Sequence, residues 1–281
     1  IRIIGCGRGL FTIFREHRHF GRQIFLLAKN ELIKTYKGAV IGPFWAVVKP
    51  IFTLFVYWFA FDVGLRSAGG VKVLVNGSVE TYGRFIFMLV GFIPWFFMQD
   101  CILQGSKCIR ENRQFVTKVS FPVSTIMTYT TISRLYVHLL LSGLMYIYML
   151  FAHGPSIYNL QFFYYCPLMF LFFLVLTWST APMCAFSLDF QNMINSIMTG
   201  LFWLSGLVYN SYDVPYEWLR KIMLLNPINY FANGYRNTFL YDRWFTCYPS
   251  ETIIFLLEFA ALFVLGAFNY RRLRKRLADV L

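Results

Sequence analysis

Arg134 and Asp100 are the charges in this sequence that are hardest to place, because each falls inside a run of apolar side chains long enough to cross a bilayer. An ionised side chain at that depth costs about 3 kcal/mol on insertion scales, so it is a functional candidate by default. The competing reading is a structural ion pair between the two on neighbouring spans. Lys49, Asp62 and Glu258 also stand within apolar runs; Lys49 lies one turn in and can snorkel to the interface. Enzymatic chemistry finds no foothold. No H-E-x-x-H, G-x-S-x-G or cluster of histidines with carboxylates occurs, and His17, His19, His138 and His153 are dispersed. No G-x-x-x-x-G-K-[ST] phosphate loop is present either, so any work the chain does draws on an ion gradient or on a separate ATPase. The six cysteines lack C-x-x-C spacing, and no metal site or disulfide framework is expected.

The elements that must position these residues are set by composition. At 58% hydrophobic, 14% charged and a mean hydropathy of +0.54, the 281 residues fit neither a soluble domain nor a disordered chain. An all-α polytopic membrane protein remains. Six stretches are apolar enough to span about 30 Å of hydrocarbon: 45–64, 85–103, 123–151, 162–186, 194–209 and 253–270. Of the 26 basic residues, 17 fall on one side of these spans, 7 on the other and 2 within them. That asymmetry places both termini in the cytoplasm, and it reads the +13 net charge as topology rather than as a nucleic-acid footprint. One inner turn, 189–192, carries no Lys or Arg of its own. No cleavable secretory signal is expected. The chain divides into an inner segment 1–44, a membrane domain 45–270 and a basic tail 271–281.

Four non-spanning parts carry patterns. Residues 8–29 form an amphipathic helix at 100° per residue, with Arg8, Arg15, Arg18, Arg22 and Lys29 opposite Leu10, Ile13, Phe14, Phe20, Ile24, Phe25 and Leu27. Such a helix lies in the headgroup layer, as an anchor among membrane lipids or as a dock for a cytoplasmic subunit. Val71–Val75 and 79–82 flank Asn76-Gly77 and predict a small external β-hairpin. The loop 106–121 is short and basic, alternates Asn112, Gln114 and Thr117 with Ile109, Phe115 and Val116, and projects toward a cytoplasmic partner. The segment 211–250 holds two half-length apolar stretches split by Asn226-Pro227. Pro227 cannot continue a helix without losing a backbone bond, so a re-entrant helix pair before the last span is expected. Non-spanning backbone at that depth is tolerated only against protein or a watery cavity, which puts this pair at the mouth of a path.

The order of these parts resembles an ABC type-2 exporter permease, and specific residues sharpen the likeness. Tyr36-Lys37-Gly38-Ala39-Val40-Ile41-Gly42-Pro43-Phe44-Trp45 followed by Pro50 is similar to the family's approach to the first span, and Gly91-Phe92-Ile93-Pro94-Trp95 to its second-span motif. Asn112 with Phe115-Val116 and Lys118 resembles the segment that contacts the ATPase. Pro215, Trp218-Leu219, Leu225-Asn226-Pro227 and Asn233-Gly234-Tyr235-Arg236 resemble a stretch of the polysaccharide and teichoic-acid export branch. Thr35 and Lys49 depart from the family pattern.

The resemblance implies a homodimer in the bacterial cell membrane with two ABC ATPase subunits beneath it. ATP and Mg would be bound by those subunits, and no cofactor by this chain. The cargo would be a lipid-linked, polyanionic cell-envelope polymer, wall teichoic acid ahead of O-antigen or capsule. Arg110, Asn112, Arg113, Phe115 and Lys118 would couple to the ATPase. Arg15, Arg18, Arg22, Lys29, Tyr36 and Lys37 would belong to the interface helix. Trp218, Asn226, Pro227, Tyr230, Asn233, Gly234, Tyr235 and Arg236 would form the external gate. A polar polymer in hydrocarbon would strand unpaired groups; the aromatic faces of Tyr57, Trp58, Phe61, Tyr129 and Tyr136, with Arg134, would line its conduit. A drug or small-lipid exporter of the same class is the alternative within transport. An integral-membrane transferase would need an acidic cluster at a span mouth, and none is seen.

Overall fold

The computed structural model describes residues 2–64, 70–75, 78–118, 121–274 and 276–277, with side chains from Glu16 onward except His19. Its elements in chain order are α1 (Arg2–Tyr36), α2 (Trp45–Trp58, continued by a π-helical turn, Phe59–Gly64), β1 (Val71–Val75), β2 (Ser78–Tyr82), α3 (Arg84–Glu111), α4 (Arg113–Thr117), α5 (Val123–His153), α6 (Phe162–Phe186), α7 (Leu188–Trp203), α8 (Glu217–Leu224), α9 (Pro227–Phe239) and α10 (Pro249–Arg274). Among the described residues five helical segments are long and apolar enough to cross a membrane: Gly42–Gly64, Arg84–Glu111, Val123–His153, Ile157–Phe186 and Pro249–Arg274.

The stretch 194–209 behaves differently from the sequence expectation. Its helix α7 starts earlier, at Leu188, where the Ser187 hydroxyl caps Phe190 N–H, and it stops at Trp203. Sixteen residues give about 24 Å of helix, short of the ~30 Å hydrocarbon thickness. The chain then turns through 204–209.

Helix α3 is the hub. Phe87, Met88, Phe92, Met98 and Cys101 are buried among α5, α6 and α9, where Met145, Met169, Phe173, Phe231 and Tyr235 complete the main core. A second cluster closes one end of the bundle with Ile109, Ile126, Met127, Tyr129, Ala181 and Tyr270. Helix α2 stands at the edge and presents Ile51, Phe52, Phe55 and Phe59 on its outer surface.

Helix α1 runs beyond the expected 8–29 at both ends, and it docks on protein. Ile24 and Ala28 bury themselves in the second cluster, Glu16 Oε1 pairs with Arg274 at 2.7 Å, and Glu16 Oε2 accepts a hydrogen bond from Ser124 Oγ. The expected single apolar face is therefore divided: Ile24 faces α5, while Phe25, Leu26 and Ile33 point outward. The side chains of Arg8, Leu10, Ile13, Phe14 and Arg15 lie outside the described residues.

The two strands pair antiparallel with Val71 opposite Tyr82 and Val75 opposite Ser78; the Asn76-Gly77 turn lies outside the described residues. Arg243 Nη2 donates to Leu74 O at 2.7 Å, and Asn210 Nδ2 to Lys72 O at 3.3 Å, so the hairpin is sewn to the chain on both flanks of α8 and α9.

Candidate functional site

A cavity of about 600 Å³ opens between α2, α3, α5 and α7. The charges the sequence marks as anomalous gather here: Lys49 from α2, Asp100 from α3 and Arg134 from α5 all line it. Among the described residues no ion pair within 4.0 Å joins Asp100 to either cation, so the Arg134–Asp100 pair that competes with a functional reading is not made as a contact there. Arg134 is buried at 7% exposure, and among the described residues its Nε has no hydrogen-bond partner. Polar side chains Thr53, Gln99, Gln104 and Thr199 share the wall. Tyr36, at the end of α1, reaches the same space; burial first, and the Asp100 charge second, raise its phenol above the ordinary value, so it faces the cavity as a neutral donor and acceptor.

The rest of the wall is aromatic. Trp45, Tyr57, Phe92, Trp95, Phe96, Phe202 and Trp203 line it, with Tyr57 and Phe202 ring centroids 5.0 Å apart and Trp95 and Phe202 5.5 Å apart. Of the residues the sequence proposes for a path, Tyr57 and Arg134 are brought together here. Phe61 reaches only its rim, 6.3 Å from Trp203. The others turn elsewhere. Trp58 donates to Asp62 at 3.1 Å. Tyr129 is buried in the second cluster, and Tyr136 packs against that cluster. Tyr57 and Trp58 are adjacent on α2, about 100° apart, and Trp58 is turned to Asp62 rather than to the cavity.

The split helices α8 and α9 break at Asn226-Pro227. Asn226 Oδ1 accepts from Ile228 N–H at 3.0 Å, capping α9, and its amide donates to Ser205 Oγ at 2.8 Å. From Ile228 to Phe239 every residue of α9 is buried. Gly234 meets α6 so closely that a Cβ would stand 2.4 Å from the Tyr165 ring. Tyr230 stacks on Phe255 at 4.4 Å, Asn233 donates to Ser211 Oγ at 3.0 Å, and the Tyr235 hydroxyl shares a 2.7 Å hydrogen bond with His138 Nε2.

Arg236 is fully buried with no carboxylate within 4.0 Å among the described residues. Its guanidinium donates to Gly206 O and Leu207 O at 2.8 Å each, to Asn233 Oδ1 at 3.3 Å and to Phe87 O at 3.4 Å. Trp218, by contrast, is 63% exposed on α8.

At the other end of α3, Asn112 folds its amide onto Cys108 O at 2.9 Å. Arg110 is engaged within the chain, donating to Cys184 O and Ala185 O at 2.7 and 3.2 Å, so it seals the end of α6. Arg113 and Lys118 are exposed, as are Arg18, Arg22, Lys29 and Lys37. Phe115 lies 5.6 Å from Phe121, and Phe121 5.2 Å from Phe20 of α1. This three-ring chain joins the α3–α5 loop to α1, a link that sequence spacing does not reveal.

With this geometry in place, the comparisons with known proteins are specific. The model of the ABC-2 type transporter family matches residues 22–240. The O-antigen export system permease protein RfbA of Myxococcus xanthus is 24% identical over 236 residues, covering 83% of this chain and 86% of that protein. The protein of the same name from Klebsiella pneumoniae is 21% identical over 263 residues, covering 92% and 94%.

Proposed function

The chain belongs to the ABC-2 type transporter family and is a multi-pass membrane protein; on that premise we propose that it is the membrane subunit of an ATP-driven exporter carrying a lipid-linked polysaccharide from the cytoplasm to the outer face. Two copies would stand over two ABC ATPase subunits, which bind ATP and Mg. The short helix α7 with its 204–209 extension would serve as the sixth crossing, and both termini would be cytoplasmic.

The observation that carries the reading is the cavity between α2, α3, α5 and α7. Its aromatic wall offers faces to sugar rings without fixed hydrogen bonds, so a chain can slide through it. Lys49 and Arg134, uncompensated by a contact carboxylate, suit the anionic linkage between lipid and glycan. The names of the two relatives favour O-antigen or a related envelope polysaccharide over wall teichoic acid, which the sequence placed first. A polyanionic polymer keeps one supporting feature, the cation pair itself.

The buried α9 fits a re-entrant element packed against protein, with exposed α8 outside it. In the α3–α5 loop, exposed Arg113 and Lys118 would meet the ATPase, with half-buried Phe115 behind them carrying the contact toward Phe121. Co-purification tests this: the chain is expected to bring down a nucleotide-hydrolysing subunit whose turnover changes with permease substitutions. An active exporter isolated without such a subunit would contradict it.

A further inference from the structure

A second cavity, of about 630 Å³, lies between the α6–α7 turn and the last two turns of α10. Its walls are apolar: Phe186 from the end of α6, Phe190 and Met193 from α7, and Leu273 from α10. Its rim carries Arg272 and Arg276, both exposed, against a single acid, Asp189. Among the described residues neither arginine makes an ion pair within 4.0 Å. The neighbouring guanidinium Arg274 points the other way, to Glu16.

The approach to this cleft is apolar on both sides. On α10, Val264, Leu265 and Phe268 are 49–56% exposed immediately before the basic run; on α7, Met193 and Ile197 are 46–47% exposed. Met193 itself lines the cleft and Phe268 directly precedes its lining residue Asn269, so exposed apolar surface leads to a rim that carries Arg272 and Arg276. The floor is fixed by Asn269, whose amide donates to Ser179 Oγ at 2.9 Å. The first turn of α7, residues 189–192, carries no cation of its own; α10 supplies two from across the gap.

We infer that this cleft is a binding site for an anionic phospholipid, its acyl chain against Phe186, Phe190, Met193 and Leu273 and its phosphodiester held by Arg272 and Arg276. A bound lipid braces the end of α10 against the start of α7, the helix that carries Phe202 and Trp203 into the first cavity. The site rests on the membrane reading alone and stands whatever polymer is carried.

The test is native mass spectrometry of the full chain from nanodiscs of phosphatidylcholine with phosphatidylglycerol mixed in. The wild type is expected to retain phosphatidylglycerol. Retention should fall roughly fivefold for each arginine removed, from about 1 kcal/mol per basic residue at an anionic surface, through Arg272→Gln and the Arg272→Gln/Arg276→Gln pair. The Arg272→Lys/Arg276→Lys chain should retain most of it, which reports that folding is intact. Lys118→Gln, a cation on the other inner loop, should leave retention unchanged. Equal loss in Lys118→Gln, no loss in the double Gln variant, or displacement by inorganic phosphate alone would each overturn the assignment. So would a double variant that keeps its lipid and instead loses a co-purifying ATPase subunit, because the cleft would then be a protein contact.

Discussion

The Arg236 guanidinium lies 3.6 Å from the centroid of the Phe87 ring, and its four hydrogen bonds end on α3, α9 and the turn after α7. Its charge is dispersed over backbone carbonyls and a π-face, a geometry suited to the planar fork of arginine. Arg134 is a second buried arginine and its opposite: its Nε has no hydrogen-bond partner, and it faces an open cavity. One arginine is bonded into the fold, and the other lines a cavity with its Nε unbonded among the described residues.

Arg236→Met is therefore expected to destabilise the chain by about 3 kcal/mol or more, because it leaves the Gly206 and Leu207 carbonyls buried without donors. Arg236→Lys should recover less than half of the loss, since an ammonium cannot span the same set of acceptors. Thermal unfolding in detergent reads both. A methionine variant as stable as the wild type would show that the clamp is dispensable.

Gly91 is the clamp's second half. A Cβ there would stand 2.5 Å from Arg236 Nη2, an atom pinned by its bond to Leu207 O. Gly91→Ala should lower stability sharply on its own and much less in an Arg236→Ala background, with a coupling of roughly 1–3 kcal/mol in the double-mutant cycle. Additive effects would mean that the two residues do not meet.

Arg134→Met should show the reverse signature. No contact ion pair is lost among the described residues, and the desolvated cation goes at the cost of its attraction to Asp100 across the cavity, so stability is expected to stay nearly level. Export should fall by roughly tenfold, equivalent to about 1.4 kcal/mol, and Arg134→Lys should restore part of it. Loss of stability together with export would instead make Arg134 a structural residue.

Much of this arrangement was legible in the sequence. The break at Asn226-Pro227, the strands flanking Asn76-Gly77 and the anomalous charges at Lys49, Asp100 and Arg134 all follow from local rules: proline chemistry, alternation and the cost of burying charge. What a single chain's pattern could not supply was facing. Trp58 and Tyr129 look as suitable for a path as Tyr57, and only the rotation of each helix against its neighbours separates them. Arg110 looked like a contact for another subunit because it sits in a basic loop; its reach to Cys184 O depends on where α6 ends. Nothing in the 194–209 pattern marks Phe202 and Trp203 as cavity-facing; their place on the wall depends on how α7 packs beside α2 and α3.

The Phe115–Phe121–Phe20 chain carries a further expectation. Phe115→Ala or Arg113→Ala should uncouple ATP turnover from export while leaving membrane insertion intact. Phe121→Ala, which breaks the middle ring, should uncouple it to a similar degree without altering an exposed surface. Assays of ATP hydrolysis and export on the same preparations check this, and unchanged coupling in Phe121→Ala would confine the role to Phe115.

The most direct measurement places a photo-crosslinking p-benzoylphenylalanine at Trp203, on the wall of the first cavity, and at Leu257, 66% exposed on the outer face of α10. Cells are then irradiated with the ATPase partner arrested in mid-cycle. A polysaccharide ladder attached to the Trp203-substituted chain and absent from the Leu257-substituted one is the predicted result. A ladder at Leu257 alone, or at neither position in a chain that exports normally before the arrest, would contradict the cavity as the polymer's route.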